Sequence, residues 1–149
     1  MKRTICFDMD GTLADFYGVE DWLACLQNHD ASPYREAEPL LPMNALARRL
    51  HQLQALGFEI KIISWLSKNG DEDFFEEIID AKLEWLARHL PSVVFDEICI
   101  IPYGTPKVLY GEDILFDDER ANREYWTDCG FTAYDADDIL NVLKKVTEM

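Results

Sequence analysis

The chain has 149 residues, a formal net charge of -15, and 48% hydrophobic and 29% charged residues. That length fits one domain with a real core. So acidic a surface argues against polynucleotides and anionic membranes as partners, and an anionic phosphate substrate needs local cations to approach it.

Ile5, Cys6 and Phe7 form a short apolar run of the kind that makes a buried strand. The run ends abruptly in Asp8-Met9-Asp10-Gly11-Thr12, where the glycine permits a sharp turn. Residues 15–41 show no strand period. A short helix is expected over 19–27, with Trp22, Leu23 and Leu26 on one face, and Ser32-Pro33 and Glu38-Pro39 break the chain after it. Pro42 suits the first turn of the next helix, which carries Leu46, Leu50 and Leu53 and stops at Gly57.

Residues 58–64 read as a second core strand, burying Ile60, Ile62 and Ile63 and ending in Ser64-Trp65. After a turn and cap at 69–73, a long helix runs to about Leu90 with Phe75, Ile79, Leu83, Leu86 and Leu90 at helical spacing. A third strand is expected at 97–101, then a Pro- and Gly-containing loop with Lys107 directly after it. A fourth strand at 113–116 runs straight into Asp117-Asp118-Glu119. A helix over 120–129, a short strand at 131–134 and a closing helix over 137–146 complete the chain.

Strands alternating with helices predict an α/β fold, a parallel sheet with helices on both faces. The domain spans 1–149, with 15–41 as its one insertion. Cys6, Cys25, Cys99 and Cys129 are scattered without C-x-x-C or metal-ligand spacing. Asp8 and Asp10 interrupt the N-terminal apolar run, so no signal peptide is read. No run of about 18 apolar residues could span a bilayer. The expectation is a reduced, cytoplasmic protein.

Four features fall at the carboxyl ends of the expected strands or just beyond them, where open α/β sheets bind ligands. They are Asp8 with Asp10, Ser64, Lys107, and Asp117 with Asp118. Taken singly, each has a plainer reading as a turn residue, a solvated lysine or a helix-start charge. Together they fit phosphoryl transfer, where catalysis is mostly positioning and charge stabilisation. Asp8 would attack phosphorus and form an aspartyl-phosphate. Asp10 would protonate the leaving oxygen and then deprotonate water. Ser64 would donate to a phosphate oxygen, and Lys107 would place a positive charge on the transferring group. Mg2+ would be held by Asp8, Asp10, Asp117 and Asp118.

On these motifs the chain resembles the haloacid dehalogenase superfamily of phosphohydrolases: Asp8-Met9-Asp10-Gly11-Thr12 is similar to its first motif, Ser64 to its second, Lys107 to its third and Asp117-Asp118 to its fourth. The resemblance implies a three-layer Rossmann-like sheet in the order 3-2-1-4-5 with a minimal helical cap. It also implies that the backbone carbonyl of Asp10 ligates the metal and that the amides of Met9, Asp10 and Trp65 help hold phosphate.

Ala81-Lys82-Leu83-Glu84-Trp85-Leu86, Lys107-Val108 and Ile114-Leu115-Phe116-Asp117-Asp118-Glu119-Arg120 resemble the 5'(3')-deoxyribonucleotidase family and related small nucleotidases. That likeness implies a small phosphorylated metabolite as substrate, with a nucleoside monophosphate as the finer expectation. Phe16, Tyr17, Trp22 and Tyr34 could then stack a base and Arg35 could meet a phosphate; alternatively these side chains pack the insertion onto the core. The competing functions are a phosphatase for a larger phosphorylated substrate and a phospho-accepting or binding module without turnover. The order of the acidic pairs around the lysine differs from that of receiver domains.

Overall fold

The computed structural model describes residues 3–148. Its elements, in chain order, are β1 (Thr4–Phe7), α1 (Trp22–Gln27), α2 (Ser32–Glu36), α3 (Met43–Ala55), β2 (Glu59–Trp65), α4 (Glu72–His89), β3 (Glu97–Ile101), β4 (Ile114–Phe116), α5 (Arg120–Asp128), β5 (Thr132–Tyr134) and α6 (Ile139–Thr147). The strands form one sheet in the order β3-β2-β1-β4-β5, with every pairing parallel. This is the α/β Rossmann-like architecture and strand order expected from the sequence and its resemblance.

The two-residue period of the strands sorts side chains onto two faces. Ile5, Phe7, Ile60, Ile62, Ile114 and Phe116 pack with the apolar stripes of α3, α4 and α6. On the opposite face Cys6, Ile63, Leu115 and Trp126 of α5 form a smaller core. In α3 the expected residues Leu46, Leu50 and Leu53 are buried, and Gly57 closes the helix with φ +97.

The inward face of α4 is the expected one at Leu86 and just beyond the helix at Leu90, but it differs over the preceding turns. Phe74, Ile78, Ala81, Lys82 and Trp85 face the core, whereas Leu83 is exposed. The doublets Phe74-Phe75 and Ile78-Ile79 offer two apolar stripes about one residue apart. Lys82 lies in the buried stripe, and an apolar pattern cannot foresee that a lysine will be paired inside.

The first strand leads into a tight loop in which Met9 O accepts from the amides of Thr12, Leu13 and Ala14 at 2.9–3.1 Å. The segment beyond it leaves and re-enters the core through a narrow neck, where Ala14 bridges Pro39, Asp15 N donates to Glu38 O and Leu40 N donates to Leu13 O. Within it, Ser32-Pro33 begins α2 instead of breaking the chain, because a proline in the first helical turn forfeits no intrahelical hydrogen bond. Phe16, Ala31 and Tyr34 then pack against Leu66, Phe74, Ile78 and Ala81. Trp85 Nε1 donates to Ala37 O at 2.8 Å, and the ring of His29 stacks on Phe74. The segment 15–41 is thereby fastened to α4, and Phe16, Tyr17 and Trp22 border the same cleft as Asp8 and Asp10. No helix among the described residues is long and apolar enough to cross a membrane.

Candidate active site

Parallel pairing places the ends of β1, β2 and β4 side by side, so the residues at and beyond those ends converge. Asp8 comes directly after β1, Ser64 lies near the end of β2, and Asp117 comes directly after β4. Lys107 comes from the turn after β3. Its Nζ donates to Asp8 Oδ1 at 3.0 Å and to Asp117 Oδ2 at 2.7 Å. All three of these side chains are buried. Burial alone would lower the Lys107 pKa, but the attraction of Asp8 and Asp117 outweighs it and the ammonium is held charged.

Carboxylate oxygens of Asp8, Asp117 and Asp118 lie within 4.8 Å of one another, close enough to share one cation. The two acids of the β4 turn differ in what already holds them. Asp117 Oδ1 accepts from Glu119 N at 2.9 Å, and Oδ2 accepts from Lys107 and from Asn122 Nδ2 at 3.1 Å. Asp118 meets Thr12, whose Oγ1 accepts from Asp118 N at 3.1 Å and sits 3.3 Å from Asp118 Oδ1, and its carboxyl also meets that of Asp8. The single Thr12 hydrogen is also within reach of Asp8 Oδ2, at 3.2 Å.

Burial, and after it repulsion from Asp8, pushes Asp117 up to about 6 and Asp118 up to about 7. Once ionised, the three carboxylates outnumber the one lysine that meets them. Oxygen ligands and surplus negative charge fit a hard divalent cation such as Mg2+. The Asp10 carboxylate stands apart from this cluster, which leaves its backbone carbonyl as the donor toward a metal that the resemblance names. Among the described residues no acceptor meets the amides of Met9 or Asp10, so both are available to an anion.

Asp10 is instead tied to Lys82. This lysine, fully buried on α4, donates to Asp10 Oδ2 at 3.0 Å, Ser64 Oγ at 2.6 Å and Trp65 O at 2.8 Å. Burial raises the Asp10 pKa against the pull of Lys82, and repulsion from Asp8 adds to the rise. A carboxyl biased toward its protonated form suits a general acid. Sequence reasoning gave no role to Lys82, Thr12 or Asn122. For Lys82 the signal was present: a lysine in register with Phe74, Ile78, Ala81 and Trp85.

A cleft of about 300 Å³ opens above Asp8, Asp10 and Lys107. Tyr17 and Trp22 of the segment 15–41 line it together with Trp65 and Tyr103, whose rings meet at 5.0 Å. Tyr17 is half exposed, and its ring meets Trp22 edge-on at 5.1 Å. Phe16 and Tyr34 also border the cleft but are almost wholly buried, packed on each other with centroids 4.5 Å apart. Both pack the segment 15–41 onto the core against Leu66, Phe74, Ile78 and Ala81. Arg35 does not reach the cleft: it pairs with Glu84 on α4, and its carbonyl accepts from Arg88. A fixed acidic partner on the adjoining helix holds this guanidinium away from the position expected for a phosphate contact. Tyr103, in the loop after β3, carried no periodicity and was not foreseen.

No family model matches the chain, and no curated protein matches it significantly. Two solved structures are similar along the whole length. The D,D-heptose 1,7-bisphosphate phosphatase from Burkholderia thailandensis superposes with a TM-score of 0.63 at 11% identity, covering 99% of this chain and 100% of that chain. The D,D-heptose 1,7-bisphosphate phosphatase from B. bronchiseptica, solved with magnesium and phosphate, gives a TM-score of 0.62 at 14% identity over 98% of each chain. At these identities what is shared is the fold.

Proposed function

We propose that this chain is a Mg2+-dependent phosphohydrolase that cleaves a phosphate monoester through an aspartyl-phosphate on Asp8. The observation that carries this reading is the buried contact of Asp8 with Lys107, beside a three-carboxylate cluster at the carboxyl edge of a parallel sheet. An ammonium beside the attacking carboxylate would also meet the incoming phosphoryl group. The unengaged amides of Met9 and Asp10 and the hydroxyl of Ser64 would bind its oxygens.

Asp8, Asp118 and the carbonyl of Asp10 are the donors best placed to hold Mg2+, since Asp117 is already committed to three protein donors. When bound, the cation would offset the charge of the carboxylates and of the phosphate together. Asp117 would act by fixing Lys107. Asp10 would give its proton to the leaving oxygen and take one from the water that hydrolyses the intermediate.

The segment 15–41 is read as a small cap that supplies contacts to the leaving group. The aromatic residues lining the cleft favour a flat leaving group, and a nucleoside monophosphate is the substrate class we assign. Turnover of para-nitrophenyl phosphate with Mg2+, set beside a panel of nucleotides and sugar phosphates, tests both levels. No turnover of any ester would leave a phospho-accepting or binding module. Turnover that prefers sugar phosphates over nucleotides would retain the phosphatase and remove the nucleotidase.

A further inference from the structure

The phosphatase reading leaves one buried cation without a role. Lys82 is fully buried, and an ammonium has three hydrogens and no lone pair. Its three hydrogens match three acceptors: Ser64 Oγ, Trp65 O and Asp10 Oδ2, at 2.6, 2.8 and 3.0 Å. The ring of Tyr34 lies 5.1 Å from the same Nζ. A buried ammonium is costly unless each donor is met, and two of the three acceptors that meet this one are the side chains of Asp10 and Ser64.

We propose that Lys82 is a positioning residue that sets the direction in which Ser64 and Asp10 present their hydrogens to a phosphate ester. The inference rests on the phosphatase reading. Lys82 can only donate, so Ser64 Oγ accepts in their bond. The Ser64 hydroxyl hydrogen is thereby left for a phosphate oxygen. Lys82 also occupies Asp10 Oδ2, while no described residue donates to Oδ1. Oδ1 is therefore the oxygen that holds the transferable proton. As Asp8 forms its bond to phosphorus, the phosphorus–ester oxygen bond breaks and its electron pair goes to the leaving oxygen. That oxygen takes the proton from Oδ1, and Asp10 is left ionised against Lys82.

The test compares esters that differ in their need for that proton. Phenyl phosphate has a poor leaving group; 2,4-dinitrophenyl phosphate has one that departs unprotonated. With Mg2+ present, Lys82→Met should lower kcat/KM for phenyl phosphate about 100-fold, the usual scale of a general acid, and for the dinitrophenyl ester about tenfold or less. Asp10→Asn should show the same selectivity, and on phenyl phosphate the double variant should fall below Asp10→Asn only by the factor of about tenfold or less that Lys82→Met costs on the dinitrophenyl ester, which is the share carried by Ser64. A lysine with a merely structural role would depress both esters by one factor. Such an equal loss, or additive losses in the double variant, would overturn the assignment. Lys82→Gln keeps a donor and most of the volume, which guards against misfolding of the Met variant. It should shift the ester ratio in the same direction, and an unchanged ratio in folded Lys82→Gln would equally overturn the assignment. If the wild type hydrolyses no ester, or Asp8→Asn keeps its turnover, the phosphatase reading itself has failed. With both controls met, an unchanged ratio removes Lys82 alone.

Discussion

A β-carbon placed on Gly11 would lie 2.3 Å from Asp118 Oδ2. Gly11 also has φ +80, in the left-handed region that costs other residues about 1 kcal/mol or more. The glycine is therefore required twice, once for the turn after β1 and once for the approach of a carboxylate from β4. Gly11→Ala should displace Asp118 from the cluster. The expected outcome is a loss of at least about 100-fold in kcat, the scale on which small misplacements act, with a much smaller Mg2+-induced rise in Tm. An alanine variant with wild-type metal response would show that Asp118 is not a ligand.

Metal binding should depend on pH in a stated direction. Asp117 and Asp118 rise from an ordinary 3.8 to about 6 and about 7. A carboxyl raised in the folded state holds its proton longer than in the unfolded chain. Its favourable contribution is complete below about pH 4 and is lost as pH climbs through the folded values. Metal-free protein should thus lose melting temperature between about pH 4 and about pH 7. Of the two acids, Asp118 is the proposed ligand and must be ionised to hold Mg2+, so the stabilising shift should be larger at about pH 8 than at about pH 5. Chelation with EDTA should abolish turnover and added Mg2+ restore it. Thermal melts at the two pH values, with and without Mg2+, check the sign.

Asp8→Asn keeps the shape of the side chain and removes the attacking charge. Lys107 retains Asp117 as a partner, so the fold should persist. We expect kcat to fall on the order of 10³-fold or more. Single-turnover assays with para-nitrophenyl phosphate measure it. A near-normal rate would move the nucleophile elsewhere.

The five residues of the segment 15–41 singled out in the sequence should separate into three groups. Tyr17→Ala and Trp22→Ala should raise KM for nucleotides by a factor matching about 1–3 kcal/mol of stacking, while sparing para-nitrophenyl phosphate. Phe16→Ala and Tyr34→Ala should instead lower stability by about 3 kcal/mol or more, because these rings fill the interface with α4. Arg35→Ala should leave KM for both substrates unchanged, since its partner is Glu84. Paired melts and steady-state kinetics distinguish the groups, and equal losses on nucleotide and nitrophenyl ester would reduce Tyr17 and Trp22 to packing residues.

Local sequence determined the elements and the order in which chemistry-bearing residues leave them. Short apolar runs next to Asp8, Ser64 and Asp117 suit buried strands, and a parallel sheet brings their carboxyl ends to one edge. That reasoning was sufficient for the parallel sheet and for the meeting of Asp8, Lys107 and Asp117, while the strand order came from the resemblance. What local pattern could not reach were relations between segments far apart in the chain. Which stripe of α4 turns inward depends on the sheet and the insertion that it packs against, and only that choice buries Lys82 against Asp10, 72 positions away. The rank of Asp117 against Asp118 depends on which protein donors are already present. The duty of each aromatic in the segment 15–41 depends on where the neck lets that segment settle, and Arg35 is lost to the cleft because Glu84 lies beside it. Periodicity describes one element at a time, whereas these relations are set by the packing of one element on another.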